Sequence, residues 1–328
     1  MPFHARADCG DRARNATFAG ETKQSRSNPR DANMGLYRAG PADGVAWITG
    51  ASSGIGRALA LDLARQGYAV AVTSRDKERL DELAAEGSDL AGTILPFPGD
   101  VGDEAAMADV VDAIEREAGP LSLAVFNAGV YYPTRAERLQ ASNFVRTFEV
   151  NVLGVIYGLV PTLARMRGRR RGQVALIGSI TAFSGWPSAA AYGSSKAALN
   201  HLAESLKFDL DKVNIRIQVI NPGFVETPLT DRVGFRMPLM MSAEGAAARL
   251  SRALRSGGFD TSFPRRLTVL LRTLALLPHP LRHALVNRMT GWNRRPFADG
   301  RRGPSAPAGR TSATRQPSPP DGRSSIES

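Results

Sequence analysis

The sequence predicts an α/β protein built on a single doubly wound parallel β-sheet, with helices on both faces. Short runs of β-branched and apolar residues alternate with helical patterns through the central part of the chain. These runs are apolar on both faces, as expected of strands that helices cover from both sides. A chain of 328 residues with 43% hydrophobic residues is long enough to bury such a core.

Taken in order, the elements form a regular series of about seven strands. The strands are predicted at Val45–Thr49, Ala69–Thr73, Thr93–Phe97, Leu121–Phe126, Gln173–Gly178, Ile215–Ile220 and Phe259–Phe263. The helices between them are predicted at Ile55–Gln66, Lys77–Glu86, Glu104–Glu117, Phe144–Met166 and Ala190–Leu210. We therefore expect one Rossmann-like domain over residues 41–263.

The two ends of the chain lack this periodicity. Residues 1–40 are rich in Arg, Asp, Asn, Gly and Ser, and residues 293–328 form a Pro/Ser/Arg low-complexity tail, so both are expected to be disordered. Met34 lies about ten residues before the first strand, which raises the hypothesis that translation starts there rather than at Met1.

The net charge of +11 does not indicate a nucleic-acid partner, because it is unevenly distributed. Residues 35–263 carry 24 basic and 24 acidic side chains, whereas the excess lies in the two ends and in residues 264–292. Cys9 is the only cysteine, so no intrachain disulfide can form, and the N-terminus has no apolar h-region. These features, and the lack of any run of about 18 uninterrupted apolar residues, favour a cytoplasmic protein. Four histidines and one cysteine offer no metal-ligand spacing.

The first strand leads into a glycine-rich turn, Thr49-Gly50-Ala51-Ser52-Ser53-Gly54-Ile55-Gly56, which opens the first helix. Glycines at this place permit a tight turn and let backbone N–H groups approach a pyrophosphate at the helix N-terminus. An ordinary strand–helix turn would be the alternative for a lone glycine cluster. The strand before it and the helix after it favour a dinucleotide site.

Six motifs in a fixed order resemble the short-chain dehydrogenase/reductase family over about residues 44–263. They are the G-x-x-x-G-x-G turn, Asp100-Val101, Asn127-Ala128-Gly129, Asn151 with Gly154, Ser179 followed by the Y-x-x-x-K of Tyr192 and Lys196, and Asn221-Pro222-Gly223 with Thr227. The resemblance implies that Ser179, Tyr192, Lys196 and Asn151 are catalytic, with Asn151 holding a water of a proton relay. It also implies contacts to a nicotinamide cofactor from Gly50, Ser52, Ser53, Gly54, Ile55, Gly56, Ser74, Arg75, Asp100, Val101, Asn127, Ala128, Gly129, Tyr192, Lys196, Pro222, Gly223, Val225 and Thr227.

The catalytic residues also make chemical sense by themselves. Tyrosine has a pKa of about 10 and is a poor base at neutral pH. Tyr192 and Lys196 are four residues apart, so one helical face presents both, and the ammonium together with an oxidised nicotinamide ring should lower the pKa of the phenol. The phenol can then exchange a proton with a carbonyl oxygen that Ser179 hydrogen-bonds.

The second strand ends in Ser74-Arg75, where NAD-preferring members of such folds carry an acidic residue. A neutral donor beside a guanidinium suits the 2′-phosphate of NADP(H), which we favour over NAD(H). Two alternatives stay open: Arg75 is merely exposed, or Asp76 reaches the ribose of NAD(H).

Bulky apolar residues surround the expected substrate position, which favours a hydrophobic or lipid-like substrate, although core packing would explain them equally. They are Phe183, Trp186, Phe224, Phe235, Met237, Leu239, Met240 and Met241. Residues 264–292 predict basic amphipathic helices with Leu267, Leu270, Leu271, Leu274 and Leu277 on one side and Arg265, Arg266 and Arg272 mainly opposite. Peripheral contact with an anionic membrane and packing on the body or an oligomer interface are both open.

The sequence thus predicts an NADP(H)-dependent oxidoreductase acting on a hydrophobic ketone, aldehyde or secondary alcohol, and the resemblance implies a homo-oligomer. A soluble β-ketoacyl-thioester reductase is the alternative within the enzyme class. A non-catalytic NADP-binding sensor or scaffold is the alternative outside it, although such a protein would be expected to have lost Tyr192 or Lys196.

Overall fold

The computed structural model describes residues 35–230 and 239–297, in which seven strands form one parallel sheet. The strands are β1 (Val45–Thr49), β2 (Ala69–Thr73), β3 (Thr93–Pro96), β4 (Leu121–Phe126), β5 (Gly172–Ile177), β6 (Ile215–Pro222) and β7 (Asp260–Phe263). Their order is β3–β2–β1–β4–β5–β6–β7. The chain moves outward from β1 to β3, then crosses back to β4 on the other side of β1, which confirms the doubly wound α/β fold.

The helices lie where the periodicity placed them, with two differences. They are α1 (Gly54–Arg65), α2 (Lys77–Glu86), α3 (Glu104–Glu117), α4 (Ala141–Phe148), α5 (Gly154–Arg169), α6 (Ala190–Leu210), α7 (Ala243–Ser256), α8 (Arg265–Leu276) and α9 (His279–Thr290). The helix expected at Phe144–Met166 begins earlier and is interrupted by a π-helical turn, Glu149–Leu153. The sequence analysis missed α7, an alanine-rich helix that the Ser242 hydroxyl caps by accepting from the Gly245 N–H.

Alternate residues of each strand face two separate cores, one on each side of the sheet. In β1, Ala46 and Ile48 pack in the core that α1, α2 and α7 cover. Val45 and Trp47 face the opposite core, which α3, α5 and α6 cover. The two-sided burial explains why the strands read as continuous apolar runs.

One helical stretch among the described residues, Ala141–Arg169, is long and apolar enough to cross a membrane by length and composition. The sequence analysis, which required an uninterrupted apolar run, did not anticipate it. This stretch packs against α3 and β4. Val155, Leu159 and Met166 are buried in the core on that side of the sheet, so part of its apolar character has an origin in the fold.

The leucine face of the C-terminal extension packs on the protein itself. Leu267, Leu271 and Leu274 of α8 form a buried cluster with Ile180, and Leu277 lies at its edge. These leucines were the basis of the membrane interpretation, and because they pack against the domain they are not available to a membrane. Leu270, which the helical pattern assigned to the same face, is 45% exposed.

Candidate active site

The glycine turn after β1 has a backbone that only glycine accepts easily. Gly50 and Gly54 have φ angles of +69° and +56°, in the left-handed region. A Cβ on Gly56 would lie 2.4 Å from the carbonyl oxygen of Gly50 and 2.5 Å from Nδ2 of Asn127. The turn is therefore tight, and it brings the start of α1 close to the carboxyl ends of β1 and β4.

The N-terminus of α1 differs from those of several neighbouring helices. Side chains cap α2, α3 and α7, namely those of Asp76, Asp103 and Ser242. Ser53 at the N-cap of α1 makes no such side-chain hydrogen bond. The first N–H groups of a helix need an acceptor, so this end suits an anionic group such as a pyrophosphate.

A cleft of about 520 Å³ runs along the carboxyl ends of the strands from this turn. Every residue predicted to contact a cofactor lines it except Gly56, which is buried behind the turn. Asp76, the alternative ribose ligand, and Gly99 line it too. From the turn to the fourth strand, the predicted lining residues are Gly50, Ser52, Ser53, Gly54, Ile55, Ser74, Arg75, Asp100, Val101, Asn127, Ala128 and Gly129. From the far end they are Tyr192, Lys196, Pro222, Gly223, Val225 and Thr227. The cleft therefore has the residues, the anion-binding helix end and the glycine cradle that fit a dinucleotide.

Asn127 fastens the end of β4 to the glycine turn. Its Nδ2 donates to the carbonyl oxygens of Thr49 and Gly50, both at 3.1 Å. In return, Oγ1 of Thr49 accepts from the backbone N–H groups of Asn127 and Ala128, at 3.1 and 3.2 Å. These four hydrogen bonds fix the floor of the cleft, and Thr49 is a supporting residue to which the sequence analysis gave no role.

Ser179 lies at the end of β5 with its hydroxyl held in place. Oγ of Ser179 accepts from Oγ1 and N of Thr181, at 2.9 and 3.2 Å. The Ser179 N–H donates to Oδ1 of the fully buried Asn221, at 2.8 Å. The sequence analysis missed the roles of Thr181 and Asn221, because nothing in their spacing indicates that they orient a serine.

Tyr192 and Lys196 lie on the same face of α6 as expected, and both line the cleft. Burial raises the pKa of Tyr192 to about 12, although a hydrogen bond with Ser179 opposes this rise. Burial also lowers the pKa of Lys196 to about 8. Nζ of Lys196 donates to the carbonyl oxygen of Ile177 at 2.7 Å and lies 5.7 Å from the centroid of the Tyr192 ring. In the protein alone the pKa of the phenol is raised, because the cost of burying a phenolate outweighs the stabilisation from the Ser179 hydrogen bond. The expected lowering by Lys196 together with an oxidised nicotinamide stays a prediction.

Asn151 is fully buried within the π-helical turn between α4 and α5. Its side chain accepts from the N–H of Val130 at 2.8 Å, and donates to the Val130 carbonyl at 3.1 Å and to Oγ of Ser195 at 3.0 Å. A Cβ on Gly129 would lie 3.3 Å from Oδ1 of Asn151 and 3.6 Å from Nζ of Lys196. Asn151 and Lys196 thus approach the same glycine, but Asn151 holds the loop after β4 rather than lining the cleft.

Tyr131 is a further residue of the site that sequence reasoning missed. Its ring packs edge-on against Tyr192, with centroids 5.4 Å apart. Its hydroxyl lies 3.2 Å from Oγ of Ser188, and burial raises the pKa of Tyr131. Tyr131 follows the Asn-Ala-Gly turn by two residues, but its spacing in the sequence gives no sign that the fold places it against Tyr192.

The three residues after β2, Ser74, Arg75 and Asp76, all line the cleft and are neutral, basic and acidic in turn. Arg75 is exposed and lies 3.8 Å from Asp100, at the edge of the cleft. Asp76 accepts from the backbone N–H of Arg79 as the N-cap of α2 and forms an ion pair with the Arg79 side chain. Arg57 forms an ion pair with Glu86, away from the lining residues of the cleft.

A second, small cavity of about 60 Å³ adjoins Ser179 and Tyr192. It is lined by Tyr131, Ser179, Thr181, Trp186, Pro187, Ala189, Tyr192, Gly223, Phe224, Leu229 and Thr230, none of which carries a charge at neutral pH. Among the predicted substrate residues within the described ranges, Trp186 and Phe224 line it. Phe183 packs under α8, Met241 packs against the core near α7, and Leu239 and Met240 are exposed. Phe235 and Met237 lie outside the described residues.

Comparisons with known proteins identify the same family that the sequence motifs resemble. The family described as "short chain dehydrogenase" matches residues 44–236. An uncharacterized oxidoreductase of Myxococcus xanthus is 37% identical over 245 residues, which are 75% of this chain and 97% of that protein. The 3-oxoacyl-[acyl-carrier-protein] reductase of Thermotoga maritima is 31% identical over 189 residues, 58% of this chain and 77% of the reductase. The structure of an alcohol dehydrogenase from Thermococcus sibiricus complexed with 5-hydroxy-NADP superposes with a TM-score of 0.61 at 26% identity, covering 67% of this chain and 94% of that one.

Proposed function

The chain belongs to the short chain dehydrogenase family of oxidoreductases, and from this premise we propose that it is an NADP(H)-dependent enzyme that interconverts a hydrophobic ketone or aldehyde and the corresponding alcohol. The observation that carries the proposal is the meeting of Ser179, Tyr192 and Lys196 at one end of a cleft whose other end is a glycine cradle. A cofactor-binding sensor would need the cradle but would have no use for this triad.

The reaction divides between cofactor and protein. NADP(H), when bound, supplies or accepts the hydride, and its oxidised nicotinamide ring carries a positive charge. The residues of the glycine turn and of β4 would hold it. In reduction, the Tyr192 phenol donates its proton to the substrate oxygen, which the Ser179 hydroxyl orients by hydrogen bonding. Oxidation of an alcohol reverses the proton transfer. Lys196 favours the phenolate electrostatically, and Asn151 fixes the adjoining loop and, by family resemblance, a water of the proton relay.

The preference for NADP(H) is supported by the first two residues after β2. Ser74 and Arg75 line the cleft where a cofactor ribose is expected, and a guanidinium can bind a 2′-phosphate. Asp76 lines the cleft as well, but the alternative that it holds the ribose is disfavoured, since its carboxylate already caps α2 and pairs with Arg79.

The proposed substrate places an uncharged, apolar group beside the reacting carbon, because the small cavity next to Tyr192 has only uncharged lining residues. A soluble β-ketoacyl-thioester reductase is the second candidate, and the similarity to the Thermotoga maritima reductase favours it. Turnover of an acetoacetyl thioester with a kcat/KM at least equal to that for aromatic ketones would select the second candidate.

The deciding experiment compares two tyrosines that touch each other. Purified protein is screened for NADPH oxidation with a panel of hydrophobic ketones and aldehydes, and the best substrate is used with Tyr192→Phe and Tyr131→Phe. Tyr192→Phe should lower kcat about 10²- to 10⁴-fold while the NADPH dissociation constant stays within twofold, whereas Tyr131→Phe should retain most of the activity. Unchanged kcat in Tyr192→Phe, or no binding of either pyridine nucleotide, would contradict the proposal.

Two further properties complete the proposal. The enzyme is cytoplasmic and forms a homo-oligomer, and light scattering of the purified protein tests the second point by giving its mass in solution. Membrane contact through residues 264–292 is not part of the proposal, because three leucines of the supposed membrane face are buried against the domain. Equal pelleting with and without anionic liposomes is the expected result.

A further inference from the structure

The helix α8 lies directly behind the wall of the small cavity. Its leucine face, formed by Leu267, Leu271 and Leu274, is buried against Ile180. Phe183, Trp186 and Phe224 pack on the same cluster. Residues far apart in sequence, before α6 and after β6, are therefore joined by one element of the C-terminal extension.

Two of these aromatic residues have a second contact. Trp186 and Phe224 also line the cavity beside Ser179 and Tyr192. Each aromatic side chain thus lines the cavity and packs on the cluster that the α8 leucines form with Ile180. Because the protein interior is close-packed, the residues behind Trp186 and Phe224 determine where these two side chains lie.

Polar and charged contacts hold the extension in place. Arg272 of α8 forms an ion pair with Asp260 of β7, and its guanidinium lies 4.8 Å from the centroid of the Phe183 ring. Beyond α9, the ring of Trp292 lies 5.0 Å from the guanidinium of Arg135. The extension is therefore anchored at α8 and again beyond α9, and α8 cannot move away from the cavity freely.

We propose that the leucine face of α8 determines substrate specificity by fixing how far Trp186 and Phe224 intrude into the cavity. This inference rests on the proposed function and names the substrate class more closely: a carbonyl compound with a compact, uncharged apolar group on the side facing these aromatics. Removing a buried leucine side chain leaves a cavity behind the wall, into which an aromatic ring can relax. The substrate cavity then widens, and bulkier substrates gain relative to compact ones.

The test uses leucines on the same helix. Leu271→Ala and Leu274→Ala remove buried side chains of the cluster, and Leu270→Ala removes one that is 45% exposed and lies outside it. With NADPH, the ratio of kcat/KM for 2-acetonaphthone to that for acetophenone is measured. It should rise at least tenfold in the two buried variants and change less than twofold in Leu270→Ala. Leu274→Met, which keeps the volume, should retain the ratio of the unsubstituted protein.

Binding measurements separate this inference from the proposed function. The dissociation constants of 1-phenylethanol and 1-(2-naphthyl)ethanol are measured by tryptophan quenching in the presence of NADPH, because alcohol and cofactor are then both reduced and no hydride transfer occurs. If neither ketone turns over but the buried variants shift binding toward the naphthyl alcohol, the proposed redox reaction fails, whereas the control of the cavity's width by α8 stands. A fall in melting temperature with unchanged binding and kinetic ratios would show that α8 is merely structural. Absence of binding of either alcohol to the unsubstituted protein would also overturn the inference.

Discussion

The cofactor side of the cleft, formed by Gly50–Gly56, Ser74–Asp76 and Asn127–Gly129, is built from short loops at the strand ends, and Gly50 and Gly54 in the first loop have left-handed φ angles. The substrate side, formed by Ser179–Trp186, Gly223–Thr230 and α8, is built from packed side chains that belong to distant segments. A backbone with such angles tolerates few residue types, so the residues of the cofactor side can be recognised in the sequence as short motifs. Side-chain walls accept many combinations of similar volume, so the substrate side is free to vary. The same difference predicts how each side should respond to substitution.

The largest effect is expected on the cofactor side, from Gly56→Ala. The added methyl group would meet the Gly50 carbonyl oxygen and Nδ2 of Asn127, neither of which can move without breaking the hydrogen bonds of the turn. We expect the NADPH dissociation constant to rise more than tenfold and the free energy of unfolding to fall by about 1–3 kcal/mol, measured by fluorescence titration and urea denaturation. Gly168→Ala is the matched control, since nothing lies within 4 Å of its added Cβ. Equal effects from both substitutions would break the contrast between the two sides.

Lys196, where the two sides meet, should make stability depend on pH. Its pKa is lowered from 10.5 to about 8 in the folded protein by burial. Between these two pH values the unfolded state binds more protons than the folded state, so the free energy of unfolding increases as the pH rises. Lys196→Met should lack this gain. The difference between the two proteins should change by about 2 kcal/mol between pH 7.5 and pH 10, measured by urea denaturation at both values. If the free energy of unfolding depended on pH in the same way in both proteins, burial would not lower the pKa of Lys196.

Arg75 should separate the two cofactors without affecting the substrate side. Arg75→Ala should raise the NADPH dissociation constant about tenfold, because a charge-assisted hydrogen bond is lost, and leave that of NADH nearly unchanged. Arg116→Ala, which removes an exposed arginine that is paired with Glu117 and does not line the cleft, serves as the control. Equal losses for NADPH and NADH would argue against recognition of a 2′-phosphate.

The smallest effect is expected from Thr181→Val on the substrate side. The Thr181 hydroxyl donates to Oγ of Ser179 at 2.9 Å and limits how the serine can turn. Losing one neutral hydrogen bond should lower kcat/KM about threefold, with no change in the NADPH dissociation constant. Thr181→Ser keeps the hydroxyl and should restore the rate. A loss of cofactor affinity in Thr181→Val would show that the two sides are not independent.

The sequence by itself determined the sheet and the glycine turn, and it predicted which residues react. The bounds of β1, β2 and β4 agree with the predicted ones, because each strand is a short contiguous run with local turn signals on both sides. The glycine turn and the Tyr192–Lys196 spacing are equally local. Their positions in the cleft follow from the rule that the carboxyl ends of parallel strands share one edge.

Only the tertiary structure decided what surrounds those residues. The contact of Tyr131 with Tyr192, the hydrogen bond from Thr181 to Ser179 and the raised pKa of Tyr192 appear only when distant segments pack together. The leucines of α8 fit a membrane surface or a protein surface equally well in one dimension, and their burial against Ile180 distinguishes the two. Desolvation and packing are sums over every neighbour in space, whereas sequence spacing records only the neighbours along one element.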